Sequence, residues 1–226
     1  MTVTATGLTR AAGISAAAAG VIFIAVQINH PPMDVASVAT NEWVVRNSAK
    51  VAMSALALVG ITGMYLRQVR QVGLLGLIGY LLFGAGYLLM FATEVISAYV
   101  LPGLVNVAPG YVNDILAAAA GGTPVGDIGA MKTVLAVTGV GYLVGGLIFG
   151  IALFRARILA QWASALLAVG TIATGSLAFL PESFNRPMVV PVGVAFVGLG
   201  VSLWRDQRSR GLETGSSIAR VEHTTV

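Results

Sequence analysis

Residues 72–104 read VGLLGLIGYLLFGAGYLLMFATEVISAYVLPGL, an apolar run with one ionisable residue, Glu94, near its far end. About 20 apolar residues suffice to cross a hydrocarbon core, so this run predicts a membrane-spanning helix that stops near Pro102. Tyr80, Phe83, Tyr87, Phe91 and Glu94 follow at steps of three or four and therefore share one helical face. Aromatic stripes at this spacing usually serve packing. The acid keeps a second reading open, because an ionisable group inside a span is costly and marks a functional site by default.

Composition places the remaining chain in the same class. Apolar residues make up 57% of the 226 and charged residues 10%, with a mean hydropathy of +0.87, whereas soluble domains carry about 25% charge. The expected fold is all-α: a polytopic bundle of six helices over residues 1–204, followed by a disordered cytoplasmic tail over 205–226. The chain has no cysteine, which removes disulfides, thiolate catalysis and Cys-ligated metals.

Working outward from the quoted run, the first span covers 11–29. Its end, Gln27, Asn29, His30, Pro31 and Pro32, carries no A-x-A cleavage pattern, so it reads as a retained helix. The second covers 42–65, with Asn41 as its expected N-cap. In its first turns Glu42, Arg46 and Lys50 recur at every fourth position, beside Trp43. Trp43 suits the interfacial belt, and the two cations either snorkel outward or form a site for an anionic headgroup or for Glu94. Counting helical rise from Arg67 and Arg70 puts Arg46 at roughly 32 Å, Lys50 at roughly 26 Å and Glu94 at roughly 36 Å. That count predicts that Glu94 lies level with Arg46 rather than Lys50.

The longest connection, 105–130, contains YVNDILAAAA, too short to span and read as an extracytoplasmic loop or short helix. Its carboxylates, Asp114 and Asp127, are read as solvated. Span four, 131–154, holds Gly141-x-x-x-Gly145 and Gly146-x-x-x-Gly150, the close-packing pattern of membrane helices, and should be central. These glycine faces also leave homo-oligomerisation open. Spans five and six cover 158–180 and 188–204.

Nine of the thirteen Lys/Arg (Arg10, Arg67, Arg70, Arg155, Arg157, Arg205, Arg208, Arg210, Arg220) fall on one side of this layout. The positive-inside rule then puts both termini in the cytoplasm. The net charge of +4 follows from this topology, with no nucleic-acid partner implied.

No HExxH, GxSxG or nucleotide loop is present, and no metal or other cofactor is expected. Three classes of function stay open. The first is an intramembrane enzyme on an isoprenoid or other lipid-like, hydrophobic small molecule, with Glu94 as proton donor. Glu42, Trp43, Arg46, Lys50, Tyr80, Phe83, Tyr87 and Phe91 would then bind the substrate, the rings stabilising a cation. The second is a proton-coupled carrier in which Arg46 or Lys50 controls the charge of Glu94. The third is an assembly partner without chemistry. In size and hydropathy the whole chain resembles the small integral-membrane terpene cyclases, which implies acid-started cyclisation but carries over no catalytic residue. It is also similar to actinobacterial multi-pass membrane proteins, which implies a bacterial plasma membrane as location and the lipid bilayer as partner.

Overall fold

The computed structural model describes residues 4–175 and 188–207. Among them all regular structure is helical: α1 Ala5–Ala25, α2 Val35–Val38, α3 Asn41–Arg67, α4 Val69–Tyr99, α5 Leu101–Leu104, α6 Pro109–Ala119, α7 Met131–Ala156, α8 Gln161–Gly175 and α9 Met188–Gln207. Five of these, α1, α3, α4, α7 and α9, are long and apolar enough to cross a membrane. The expected fifth span is described only as far as Gly175, and residues 176–180 lie outside the described residues, as do Arg186 and the tail from 208.

Side-chain oxygens start α1, α2 and α3. Thr4 caps α1, and Thr40, not the expected Asn41, caps α3 by accepting from the Trp43 amide at 3.2 Å. Asn41 is already the first helical residue, so the cap falls one residue earlier on a hydroxyl that serves equally well. Gln68 alone separates α3 from α4. The chain then breaks helical geometry at Gly73 (φ 55°), a conformation that a Cβ would make costly. At the far end α4 stops at Tyr99, and Pro102 sits in the first turn of α5, where its missing N–H matters least.

Six helices form a ring of antiparallel neighbours in the order α1, α3, α4, α7, α8, α9, with α9 closing on α1. Small residues set every crossing of the ring but that of α3 with α4. Gly60 and Gly63 lie on Ala16 and Ala12, Gly13 on Gly200 and Gly20 on Gly193. The glycine pattern predicts span four at the centre, but α7 is one member of the ring, with Val137, Val140, Val144, Ile151 and Phe154 exposed on its outer face, because its glycines serve two neighbours rather than a surrounding shell. Gly141 and Gly145 face the α4 backbone at Gly86 and Phe83, while Gly146 and Gly150 face Thr171 and Ala168 of α8. Those four glycines are thus used inside one chain.

The ring is filled by Phe83 and Tyr87 from α4, Tyr142 and Phe149 from α7, and Phe196 from α9, with centroids 5.0–6.2 Å apart. Leu74, Leu81, Leu88 and Val169 point outward, as expected where lipid replaces water as the solvent. A second apolar cluster roofs the end where α3 and α7 begin. It joins Val38, Trp43, Leu101, Val112, Ile115, Leu116 and Ile128, so α2, α5 and α6 form a folded cap.

The start of α1 and the end of α9 share the opposite end, where Arg10 stacks over Trp204 at 5.9 Å. There α9 runs past the expected boundary at 204 to Gln207. Asp206 thereby meets Arg67 of α3, with Nη2 to Oδ1 at 2.9 Å. Part of the segment read as tail belongs to the bundle because it carries the counter-charge to Arg67.

Candidate functional site

Helices α3 and α4 bring Lys50 and Glu94 together, Nζ to Oε2 at 3.8 Å, with side chains only 15% and 19% exposed. Lys50 also donates to Asn47 Oδ1 at 3.0 Å, and Asn47, fully buried, donates to the Trp43 carbonyl at 2.8 Å. The Trp43 indole N–H donates in turn to the Ser97 carbonyl of α4 at 2.8 Å. One polar chain therefore runs from Glu94 through Lys50, Asn47 and Trp43 back to α4, directly under the cap.

The cation that meets Glu94 is not the one that counting rise favoured. Side chains on a helix lean toward its N-terminus. On antiparallel helices, Lys50 leans toward the capped end and Glu94 away from it, which closes a height difference of roughly 10 Å between their backbones. Arg46 is engaged elsewhere. Its Nε donates to Glu42 Oε1 at 2.8 Å, and its Nη1 donates to the carbonyls of Ile28 at 2.7 Å and Val26 at 3.3 Å. These carbonyls lie just past the end of α1, where helix geometry leaves acceptors without partners. Arg46 is thus a cap for a neighbouring helix, and Glu42 holds its guanidinium.

Trp43 is likewise not in an interfacial belt. It is 1% exposed, because the cap covers its ring and Ser97 satisfies its nitrogen. His30 meets it edge-on at 6.4 Å. Tyr80 stacks flat on Tyr65 at 4.5 Å and 6°, its hydroxyl 3.3 Å from Thr62 Oγ1. Phe83 and Tyr87 are fully buried, their rings taken up by the core cluster. Phe91 is half-buried. The aromatic ladder thus divides into a stack on α3, a core and one ring beside the acid.

Of the two cap carboxylates read as solvated, Asp127 is exposed as expected and Asp114 is not. Asp114 is buried and accepts the amides of Val125 and Gly126 at 2.8 and 2.9 Å, closing the loop onto α6. Asp127 accepts the Gly129 amide at 2.8 Å. Asp34 accepts the Ser37 amide at 2.7 Å, which holds its carboxyl below the ordinary 3.8. Asn47, Tyr142, Phe149 and Phe196 escape a reading by motif. Asn47 alone had a usable signal, since an amide one turn from Lys50 on the same face is placed to bond it.

Among the described residues no group of three His, Cys, Asp or Glu could hold a metal ion. No family model, curated protein or solved structure matches the chain.

Proposed function

We propose that this chain is a small proton-coupled membrane carrier, with Glu94 as the group that takes up and releases the proton and Lys50 as the cation that sets its charge. The observation that carries this reading is the mostly buried Lys50–Glu94 pair. A buried ion pair adds little to stability that apolar residues of similar volume could not replace. Here α3 and α4 are already joined by Trp43–Ser97, Ser48–Tyr99 and Tyr65–Tyr80. Asn47 supplies what a proton cycle needs. When Glu94 is neutral, Lys50 keeps an acceptor and is not stranded.

The cyclase reading fits this packing less well. A cyclising cation needs free ring faces, and those of Phe83 and Tyr87 are occupied by Tyr142, Phe149 and Phe196. The side-by-side placement of both described chain ends, together with Arg67 and Arg70, supports a six-span topology with both termini in the cytoplasm. The resemblance in size and hydropathy supports a bacterial plasma membrane.

The test is reconstitution in vesicles carrying an internal pH dye, with labelled fatty acids and isoprenoid alcohols offered in turn. At least one class should drive proton movement in the parent and none in Glu94→Gln, whose melting should be unchanged because the amide retains volume and hydrogen bonding. Equal proton movement in parent and Glu94→Gln, or none in the parent with any solute, refutes the proposal.

A further inference from the structure

The Lys50–Glu94 pair is loosely bonded for two charges so far from water. An ammonium can donate three hydrogen bonds, and a carboxylate can accept about four. Lys50 makes one, to Asn47 Oδ1 at 3.0 Å. Its approach to Glu94 Oε2, at 3.8 Å, is beyond hydrogen-bond reach. Among the described residues no group donates a hydrogen bond to the Glu94 carboxylate. A mostly buried pair is stabilised only when further hydrogen bonds satisfy its remaining lone pairs and protons. Both side chains keep some exposure, 15% and 19%, through which a molecule with an acceptor for Lys50 and a proton for Glu94 can enter.

The neighbouring charges limit what that molecule is. On α3, Arg46 is engaged by Glu42 and by two carbonyls beyond α1. On α4 no other charge lies between Arg70 and Tyr99. In the cap Asp114 is held by two amides, while Asp34, Asp127 and Lys132 are exposed. Lys50 and Glu94 are therefore left to compensate each other, one unit of charge each. When Glu94 gains a proton, Asn47 still offers Lys50 an acceptor but no counter-charge. An uncompensated cation inside a span is costly, so protonation of Glu94 calls for a monoanion on Lys50.

A carboxylic acid brings both. Its O–H bond breaks as the Glu94 O–H bond forms, and the carboxylate left behind accepts from Lys50. The site is neutral before and after, and the reverse transfer releases the neutral acid. Solute and side chain are both carboxyls with similar ordinary proton affinities, so the proton can pass either way. An alcohol is too weak an acid to give up this proton, and a zwitterion brings an ammonium that takes its place.

We infer that the solute moved with the proton is a monocarboxylate, seated between Lys50, which takes its carboxylate, and Glu94, which takes its proton. This rests on the reading of Glu94 as the proton carrier, and adds to it the class of solute and an electroneutral exchange of one proton per anion.

Three water-soluble probes that share one ring separate the classes: phenylacetate, phenylethanol and phenylalanine. Isothermal titration calorimetry of the purified full chain, in buffers of different ionisation enthalpy, counts protons as well as ligand. The parent should prefer phenylacetate and take up one proton per anion. Its Kd should then rise about tenfold for each pH unit over which free Glu94 is ionised and bound Glu94 is not. Glu94→Gln should bind phenylacetate with no proton uptake and a Kd that does not follow pH. Lys50→Gln should weaken phenylacetate at least about tenfold, the loss of a charged hydrogen bond, and Lys50→Arg, which keeps the charge, should restore binding. No phenylacetate binding by the parent, binding without proton uptake, parent-like pH dependence in Glu94→Gln, or parent-like binding by Lys50→Gln overturns the assignment. Preference for phenylethanol or phenylalanine also overturns it, yet the carrier stands if that probe drives Glu94-dependent proton movement in vesicles. If no solute does so, the carrier reading fails and this inference with it.

Discussion

Replacing Gly86 by alanine tests the α4–α7 crossing, on which the ring depends, with a single methyl group. An added Cβ would stand 2.6 Å from the Tyr142 amide nitrogen and 2.7 Å from the Gly141 carbonyl carbon. Ordinary contacts at such a position begin near 3.4 Å, so the helices must part by roughly 1 Å, a gap that forfeits a quarter to a half of each dispersion contact. Rotamer change cannot relieve it, because both neighbours are backbone. The same separation is transmitted to the Gly145–Phe83 and Gly79–Phe149 contacts along the crossing. Overpacking of this kind costs about 1–3 kcal/mol.

Gly→Ala also raises helix propensity by about 1 kcal/mol, which would mask part of the loss. Gly84→Ala supplies the correction, since it sits two residues away in the same helix and its Cβ meets nothing within 4 Å. The propensity gain cancels between the two variants and leaves the overpacking alone. Reversible unfolding in mixed micelles, followed by circular dichroism against detergent fraction, should place Gly86→Ala about 1–3 kcal/mol below Gly84→Ala. If the two variants unfold together, α4 and α7 do not touch backbone to backbone and the ring is wrongly packed.

Two further outcomes bear on the cap and on orientation. Arg46→Met should destabilise the bundle by about 1–3 kcal/mol in the same assay, because the carbonyls of Val26 and Ile28 lose their donor; parent-like unfolding would show that Arg46 does not cap α1. In intact cells, Val125→Cys, at a side chain 97% exposed on the cap, should react with an impermeant maleimide, whereas Gln71→Cys at the basic end should not. The parent has no cysteine, so any label reports the engineered site, and the opposite pattern reverses the topology.

Local chemistry was sufficient for much of the architecture. Long apolar runs cannot be covered by so short a chain in water, which makes the bundle legible from composition alone. The glycine spacing of α7 marked it for close packing, since only small residues permit backbone approach on two faces, but did not reveal its place as one member of a ring. The clustering of arginines foretold that the chain's two described ends would share one end of the bundle. Several assignments needed the assembled structure. Helical rise gave the heights of Arg46, Lys50 and Glu94 but not the opposed lean of side chains on antiparallel helices, so it favoured the wrong cation. Spacing put Phe83 and Tyr87 on the same face as Glu94, yet whether those rings face a ligand or each other depends on α7 and α9, far along the chain. Trp43, Asp114 and Asp206 each found a partner that sequence distance concealed: Ser97, the amides at 125 and 126, and Arg67. A sequence records what each residue can bond, but the partner it bonds is decided when helices distant in the chain are brought side by side.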